Sequence, residues 1–547
     1  MGGRDREGSG GIALRAGAGV AECAGMKWVS SSRDEWVAAA CAAAAGLLWA
    51  AVFPPLEWTW AAWGALAPLW IMARRAASDR QALRLGWAAG FLHWLLAIRW
   101  LTHVTVGGWI MLAAWCALFV LPPVWLARRW RGRGVGFAAA LAVVWCGCEF
   151  VRGRFGWGGF PWNPLGVGLT PWLPAIQLAE FGGVWLVSGL AVFVSGLLAW
   201  AVAARRGWRG LAAGALAAAA VLGWGAWRAA ALDDADRVAR AGSGRVIRVA
   251  LVQTAIPQDE KWVQSKIEMI YSRLTELTRQ AQADARTELV IWPETALPDD
   301  VRNSVPSYAL VWGLVTNGPP ILAGSLDAAE GDDGLPLYYN SAFLFDEQGR
   351  IAGEYAKRHL VAFGEFIPFE RWIPSGWARA LGLPLSITPG QTGAVFRAGR
   401  ARVPLAPLIC FEDILPDLAR ADVRAGARML VNVTNDAWFD EITAPNQHMR
   451  NAVLRAVENR VPLVRAANTG ISCVVAPSGR VGPRLNDGAG RTWKPGVLWA
   501  DVAVPPDGMP LTFYSRYGDM YGIACAAATA LWLARTGWNR RKRPGIL

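Results

Sequence analysis

Three residues in the second half of the chain are of types that together could carry nucleophilic catalysis by a thiol. Cys410 ends the apolar run of "LAPLICFEDI" and is followed by "FEDILPDLARA", which reads as a turn into a helix. A thiol at a strand-to-helix turn can sit near a helix N-terminus, whose dipole favours the thiolate, the attacking form. The neighbouring Glu412 and Asp413 oppose that ionisation, so a base or a cation must come from elsewhere. "IWPETALP" sets Glu294 just past a strand, where a carboxylate raised towards neutrality by burial would take the thiol proton. "EYAKRHLVAFGEFIPFE" sets Lys357 past another strand, with Glu365 eight residues on; its ammonium would stabilise a developing oxyanion. Taken singly, each has an ordinary structural explanation: a buried cysteine, a glutamate capping a helix, a lysine solvated beside Arg358 and His359. The case for chemistry rests on the three together.

Such residues need a rigid frame, and the surrounding sequence supplies one. "RVIRVALVQTAI" (245–256) is β-branched and bounded by Pro257, a strand. Ile267, Ile270, Leu274 and Leu277 recur with the spacing of one helical face. "ELVIWPE" is a short buried strand, and "YYNSAFLFDEQGRIAGEY" a hairpin turning at Asp346–Gly349. "APLICFED" and "RMLVNVTND" are further strands, and a helix is expected at about 443–460. Strands alternating with helices predict an α/β domain over 229–515.

The rest of the chain is built for a bilayer. Of 547 residues 54% are hydrophobic, mean hydropathy is +0.25, and there are 33 tryptophans, residues that anchor at membrane interfaces. Seven apolar segments, at about 36–53, 58–73, 84–101, 107–127, 135–151, 180–203 and 209–228, are expected to cross, with an eighth at about 517–534. Residues 1–34 read as a disordered extension, 35–228 as a membrane domain of seven helices, and 516–547 as a last span with a basic tail. The first apolar stretch is followed by more of its kind, so it is not a cleaved signal peptide; Met1 and Met26 are both candidate starts. Arginines cluster in alternate loops (Arg74, Arg75, Arg80, Arg84; Arg128, Arg129, Arg131, Arg133; Arg205, Arg206, Arg209) and in the tail at Arg540–Arg543. By the positive-inside rule both termini are cytoplasmic, and the α/β insert and the loop "RGRFGWGGFPWNPLG" (152–166) face outward. The net charge of +13 thus belongs to membrane loops rather than to a nucleic-acid surface.

Eight cysteines show no C-x-x-C pairing, and His93, His103, His359 and His448 are far apart in sequence, so neither a disulfide framework, a metal centre nor a cofactor is expected. A monomer is the expectation for oligomeric state.

Glu294 in "WPE", Lys357 in "YAKRHL…FGE" and Cys410 in "CFE" resemble, in order and spacing, the Glu-Lys-Cys triad of the nitrilase superfamily. With the flanking spans, the outward insert and "GFPWNPLG", the chain from about 36 to 540 resembles the apolipoprotein N-acyltransferases of bacterial inner membranes. The resemblance implies a polytopic helical membrane domain carrying an inserted αββα sandwich. It implies a ping-pong transfer: Cys410 takes an acyl chain from a phospholipid as a thioester and passes it to the α-amine of a diacylglyceryl-cysteine apolipoprotein. It makes Glu294 the base, Lys357 the oxyanion stabiliser, Glu365 and Glu412 orienting acids, and Trp262, Phe411 and Trp438 lipid-facing aromatics. Two positions depart from the pattern. Ala362 replaces the common Pro before F-G-E, and Phe411 replaces a Tyr, removing its hydroxyl but not its ring.

A membrane-tethered amidase with water as acceptor would share the triad but would not need the aromatics or the spans. A transporter or scaffold would need ionisable residues within the spans, and only a few, such as Arg99 and Glu149 near span ends, are present.

Overall fold

The computed structural model describes residues 32–541, apart from 131, 133, 157, 204–207, 317, 332–333, 368–385 and 486–490. The extension assigned to 1–34 therefore lies outside the described residues up to 31. From Ser32 the chain is helical: α1 (Ser32–Ala51) is rich in alanine, the strongest helix former. There follow α2 (Ala67–Arg75), α3 (Asp79–Ala97), α4 (Val106–Leu118), α5 (Leu121–Arg129), α6 (Gly134–Arg152), α7 (Leu173–Ile176), α8 (Ala179–Ala203) and α9 (Trp208–Val238).

Among the described residues, four stretches can cross a membrane by length and hydropathy: Val106–Arg129, which runs through α4 and α5, then Gly134–Arg152, Ala179–Val202 and Leu211–Gly242. Helices α1 and α3 occupy the first and third expected segments. The second expected segment is not a spanning helix. Thr59–Trp63 is a 3-10 turn, and the nine residues of α2 make only about 14 Å of helix against about 30 Å of hydrocarbon. Gly64 closes the first piece and Pro68 starts the second, so an apolar stretch is cut in two. The seventh expected segment, at about 209–228, lies within a longer helix. The 31-residue α9 runs on through "LDDADRV" to Val238, because charge ends a membrane span without ending a helix.

The insert folds as two six-stranded sheets. Its strands are β1 (Arg245–Gln253), β2 (Leu289–Ile291), β3 (Ile321–Glu330), β4 (Pro336–Phe345), β5 (Ile351–Ala356), β6 (Phe396–Ala398), β7 (Val403–Ile409), β8 (Met429–Thr434), β9 (Leu463–Ala467), β10 (Cys473–Val475), β11 (Val481–Arg484) and β12 (Gly496–Val504). One sheet has the order β12-β1-β2-β3-β4-β5, the other β11-β10-β9-β8-β7-β6. Strand alternation builds the layers. From β1, Ile247, Val249 and Leu251 point between the sheets, where they meet Leu405, Ile409 and Val431. Ala250 and Val252 point outward, under α10 (Ile267–Gln282) and α11 (Val305–Val315). The second sheet is covered by α12 (Pro416–Arg424) and α13 (Thr443–Asn459). The chain ends through α14 (Phe513–Tyr517) and α15 (Met520–Arg541), the latter where the last span was expected.

The two halves share one core. A single apolar cluster runs from Trp49, Trp70 and Trp185 of the membrane helices to Leu408, Leu430 and Val453 of the sandwich. Every residue of α13 from Ala444 to Asn459 except Asn446 is buried. Its polar residues find partners across the junction. Gln447 Oε1 accepts from Trp100 Nε1 (3.1 Å), Trp162 Nε1 (2.8 Å) and Asn163 Nδ2 (3.0 Å). Its Nε2 donates to the carbonyls of Pro54 (3.0 Å) and Ala97 (2.9 Å). Farther along, Glu458 accepts from Val184 N at 3.0 Å, where Gly182 and Gly183 leave helical geometry and break α8. The loop 152–166, read from sequence as a surface loop, is part of this junction through Trp162 and Asn163.

Candidate active site

Cys410 follows β7 directly and opens a 3-10 turn, Cys410–Ile414, ahead of α12. Its φ is +52°, a conformation unusual outside glycine, and Asn432 Nδ2 holds its carbonyl at 3.0 Å. The residue is partly exposed. Burial of the sulfur and the nearby Glu294 push the thiol well above its ordinary pKa, while Lys357 acts in the other direction. A resting thiol of this kind is neutral and needs a base to become a nucleophile.

Glu294 lies beyond the end of β2, 7% exposed. The turn that carries it packs so closely on Gly324 of β3 that a Cβ there would sit 2.5 Å from the Pro293 carbonyl oxygen. Asn340 Nδ2 donates to Glu294 Oε1 at 2.7 Å and reaches Glu365 Oε1 at 3.3 Å. Lys357, 1% exposed, places Nζ 2.7 Å from Glu365 Oε1 and 3.9 Å from Glu294 Oε1. Glu365 is fixed in turn by Val361 N (2.9 Å). Burial raises the pKa of Glu294 above the ordinary carboxylate range, with Lys357 opposing. The ion pairs outweigh burial at Lys357 and keep it charged.

Glu412 was read from sequence as an obstacle to thiolate formation, and its bonding answers that. Its carboxylate is fully buried and accepts four hydrogen bonds, from Ile409 N (2.8 Å), Tyr355 Oη (2.7 Å), Arg358 N (2.7 Å) and His359 N (3.0 Å). The acid therefore clips the Cys410 turn to the segment carrying Lys357. The ring of Phe411 lies between Trp162 and His359, near-parallel to both, with centroids 6.1 Å away on each side. Trp262 and Trp438 are 48% and 55% exposed on the loops following β1 and β8.

Several groups at the site escaped the sequence reading. Lys261 in "IPQDEKW", passed over in favour of Trp262, is buried and donates to the Glu294 carbonyl at 3.0 Å. Burial lowers its pKa to about 8 despite the pull of Glu294 and Cys410. Asn340 carried no motif. His448 of α13, set aside because the histidines are distant in sequence, lies in a buried cluster with Asp413, Asp436 and Arg465 next to the Cys410 turn. Only the folded chain brings these together. Cys473 is buried in β10. Among the described residues, no group of three or more His, Cys, Asp or Glu is arranged to hold a metal ion.

The arrangement is a thiol, a carboxylate with raised pKa and a buried ammonium converging at one end of a sandwich that shares its core with membrane helices. The family model for the apolipoprotein N-acyltransferase N-terminal domain matches residues 45–197, and that for carbon-nitrogen hydrolase matches 248–504. An apolipoprotein N-acyltransferase of Geobacter metallireducens is 35% identical over 89% of this chain and 92% of its own. Those of Brucella suis and Allorhizobium ampelinum are each 34% identical, over 73% and 74% of this chain and 76% and 78% of theirs. The match extends through membrane helices and sandwich alike, which a tethered amidase would not require. The chain belongs to the apolipoprotein N-acyltransferase family.

Proposed function

We propose that this protein moves a fatty acyl chain from a membrane phospholipid to the N-terminal α-amine of a diacylglyceryl-cysteine apolipoprotein, with Cys410 as the carrier. The observation that carries the reading is the buried Glu294–Lys357–Cys410 constellation in a domain whose core is continuous with the membrane helices. Glu294 takes the thiol proton, and the sulfur attacks the ester carbonyl carbon. The Lys357 ammonium stabilises the tetrahedral oxyanion. Collapse breaks the carbon–oxygen bond, and the departing lysophospholipid alkoxide receives the proton from Glu294. In the second half, the acceptor amine attacks the thioester carbonyl and gives a proton to Glu294; the carbon–sulfur bond breaks and the thiolate is reprotonated. Glu365 orients Lys357, Glu412 holds the Cys410 turn, and Trp262, Phe411 and Trp438 line the path of the acyl chain and headgroup.

The arginine asymmetry between alternate loops supports an inner-membrane topology with both termini cytoplasmic and the sandwich outside, where lipoprotein N-termini are displayed. The protein acts as a monomer in this reading. The test is direct. Purified enzyme given phospholipid alone should gain the mass of one acyl chain on the peptide containing "LICFEDI". Neutral hydroxylamine should remove it, and a diacylglyceryl-cysteine peptide should discharge it. Label on Cys473, or full transfer by Cys410→Ala, would overturn the mechanism.

A further inference from the structure

The cluster behind the nucleophile has no part in the steps above. Its four members come from four elements: Asp413 from the Cys410 turn, Asp436 from the loop after β8, His448 from α13 and Arg465 from β9. All are buried, the two aspartates and the arginine completely. His448 Nδ1 shares a hydrogen bond with Asp436 Oδ1 at 2.8 Å, and Nε2 lies 2.9 Å from Asp413 Oδ1. Arg465 pairs with the other oxygen of Asp413 and lies 3.7 Å from Asp436 Oδ2. A carboxylate only accepts, so Nδ1 donates to Asp436, while Nε2 faces the charge of Asp413 at 2.9 Å but off the line of a hydrogen bond. With a carboxylate oxygen close to each ring nitrogen the cluster favours the imidazolium, which lets two cations balance two anions. The two carboxylates hold the proton against burial, with a pKa raised to about 9.

The cluster is placed to matter for Cys410. Asp413 is three residues away in the same turn, and the negative charge of Asp436 opposes ionisation of the thiol. Trp162, which packs on Phe411, also lies against the His448 ring at 5.7 Å. Take away the imidazolium and Arg465 alone faces two carboxylates, leaving one uncompensated negative charge beside the sulfur that must become a thiolate. We propose that His448 is a positioning residue for the nucleophile: held as an imidazolium between Asp413 and Asp436, it pins the Cys410 turn and keeps both carboxylates compensated. The proposal rests on the reading of Cys410 as nucleophile.

The test measures the thiol itself, without acyl transfer. Full-length enzyme in nanodiscs is treated with iodoacetamide across a pH series, and alkylation is read by mass spectrometry on the Cys410 peptide. His448→Gln should slow alkylation near neutral pH about tenfold and move its midpoint up by roughly one pH unit. His448→Gln/Asp413→Asn removes one charge of each sign, so its alkylation should return to within about threefold of wild type. A packing role would make the double variant no better than the single. That result, or an unshifted profile in folded His448→Gln, overturns the proposal. If His448→Gln does not fold, the double variant decides: it must fold and alkylate near the wild-type rate, and its failure is equally fatal. Failure of wild-type enzyme to form an acyl adduct from phospholipid would instead sink the function proposed above, while the alkylation profiles would still decide the role of His448.

Discussion

Replacing Gln447 by leucine nearly preserves volume and removes one side chain's worth of polarity, yet it strands five buried partners. They are the indole N–H groups of Trp100 and Trp162, the amide nitrogen of Asn163, and the carbonyls of Pro54 and Ala97. At the low end of about 1 kcal/mol for each stranded group, the loss is about 5 kcal/mol. That rivals the whole net stability of many domains, about 5–15 kcal/mol. A fall in melting temperature on the order of 10 °C should follow in nanodiscs, tracked by circular dichroism. The functional effect should be selective, because one stranded group is Trp162, whose ring walls in Phe411. Acyl-enzyme formation from bilayer phospholipid should drop at least about tenfold through misplacement. Alkylation of Cys410 by iodoacetamide, which needs no lipid path, should change less than about threefold. Gln447→Glu keeps an acceptor but loses both donors, and should fall between wild type and leucine. A leucine variant melting within about 2 °C of wild type would show that the five bonds contribute almost nothing net, and the docking argument would be wrong.

Glu294→Gln should lower acyl-enzyme formation by about 10²–10⁴-fold, read as lysophospholipid release, since an amide cannot take the thiol proton. In the wild type the carboxylate is the working form and burial raises its pKa, so activity should fall with acidification on a limb above the ordinary carboxylate value of about 4.3. A limb at or below that value would contradict the assignment. Lys357→Met should cost about 10²–10³-fold through the lost oxyanion donor, and arginine should not restore it, because Nζ reaches Glu365 at 2.7 Å in a closed space. Near-normal transfer by the methionine variant would remove lysine from the mechanism. Lys261→Met takes away a cation that lowers the pKa of Glu294, so the acid limb should move to higher pH; an unmoved limb would leave Lys261 a purely structural residue.

Glu294, Lys357 and Cys410 stood out in the sequence because each follows the end of its own strand within a short motif. What surrounds them did not. By its neighbours alone Glu412 read as an adverse charge and only the family resemblance gave it an orienting role, since its four donors come from Ile409 at one side and Tyr355, Arg358 and His359 more than fifty residues back. His448 and Arg465 looked unrelated to Asp413 because only the stacking of α13 on β8 and β9 closes the distance. Hydropathy found the apolar stretch at 58–73 but not the Gly64 and Pro68 breaks that shorten its helices. It also ended α9 at the last apolar turn, although the helix continues. Helix α13 has a polar sequence and a buried surface, a mismatch that periodicity cannot resolve: its polar groups are satisfied by membrane-side loops some three hundred residues earlier.

The ladder between β1 and β12 sets Arg245 opposite Val504 and Gln253 opposite Gly496. The strand by which the chain arrives from α9 thus lies about 4.8 Å from the strand by which it departs towards α15. The insert therefore enters and leaves the membrane domain through paired, adjacent strands, while α13 packs against α8 elsewhere in the shared core. The same ladder orders biogenesis. β1 is the first strand of the sandwich to be made, and its outer neighbour is the last. Until Gly496–Val504 is synthesised, one flank of β1 is an open edge carrying a row of unpaired amides and carbonyls, available to any other extended segment. A truncation that stops before Gly496 therefore removes the closing strand of the first sheet and leaves that edge open for good.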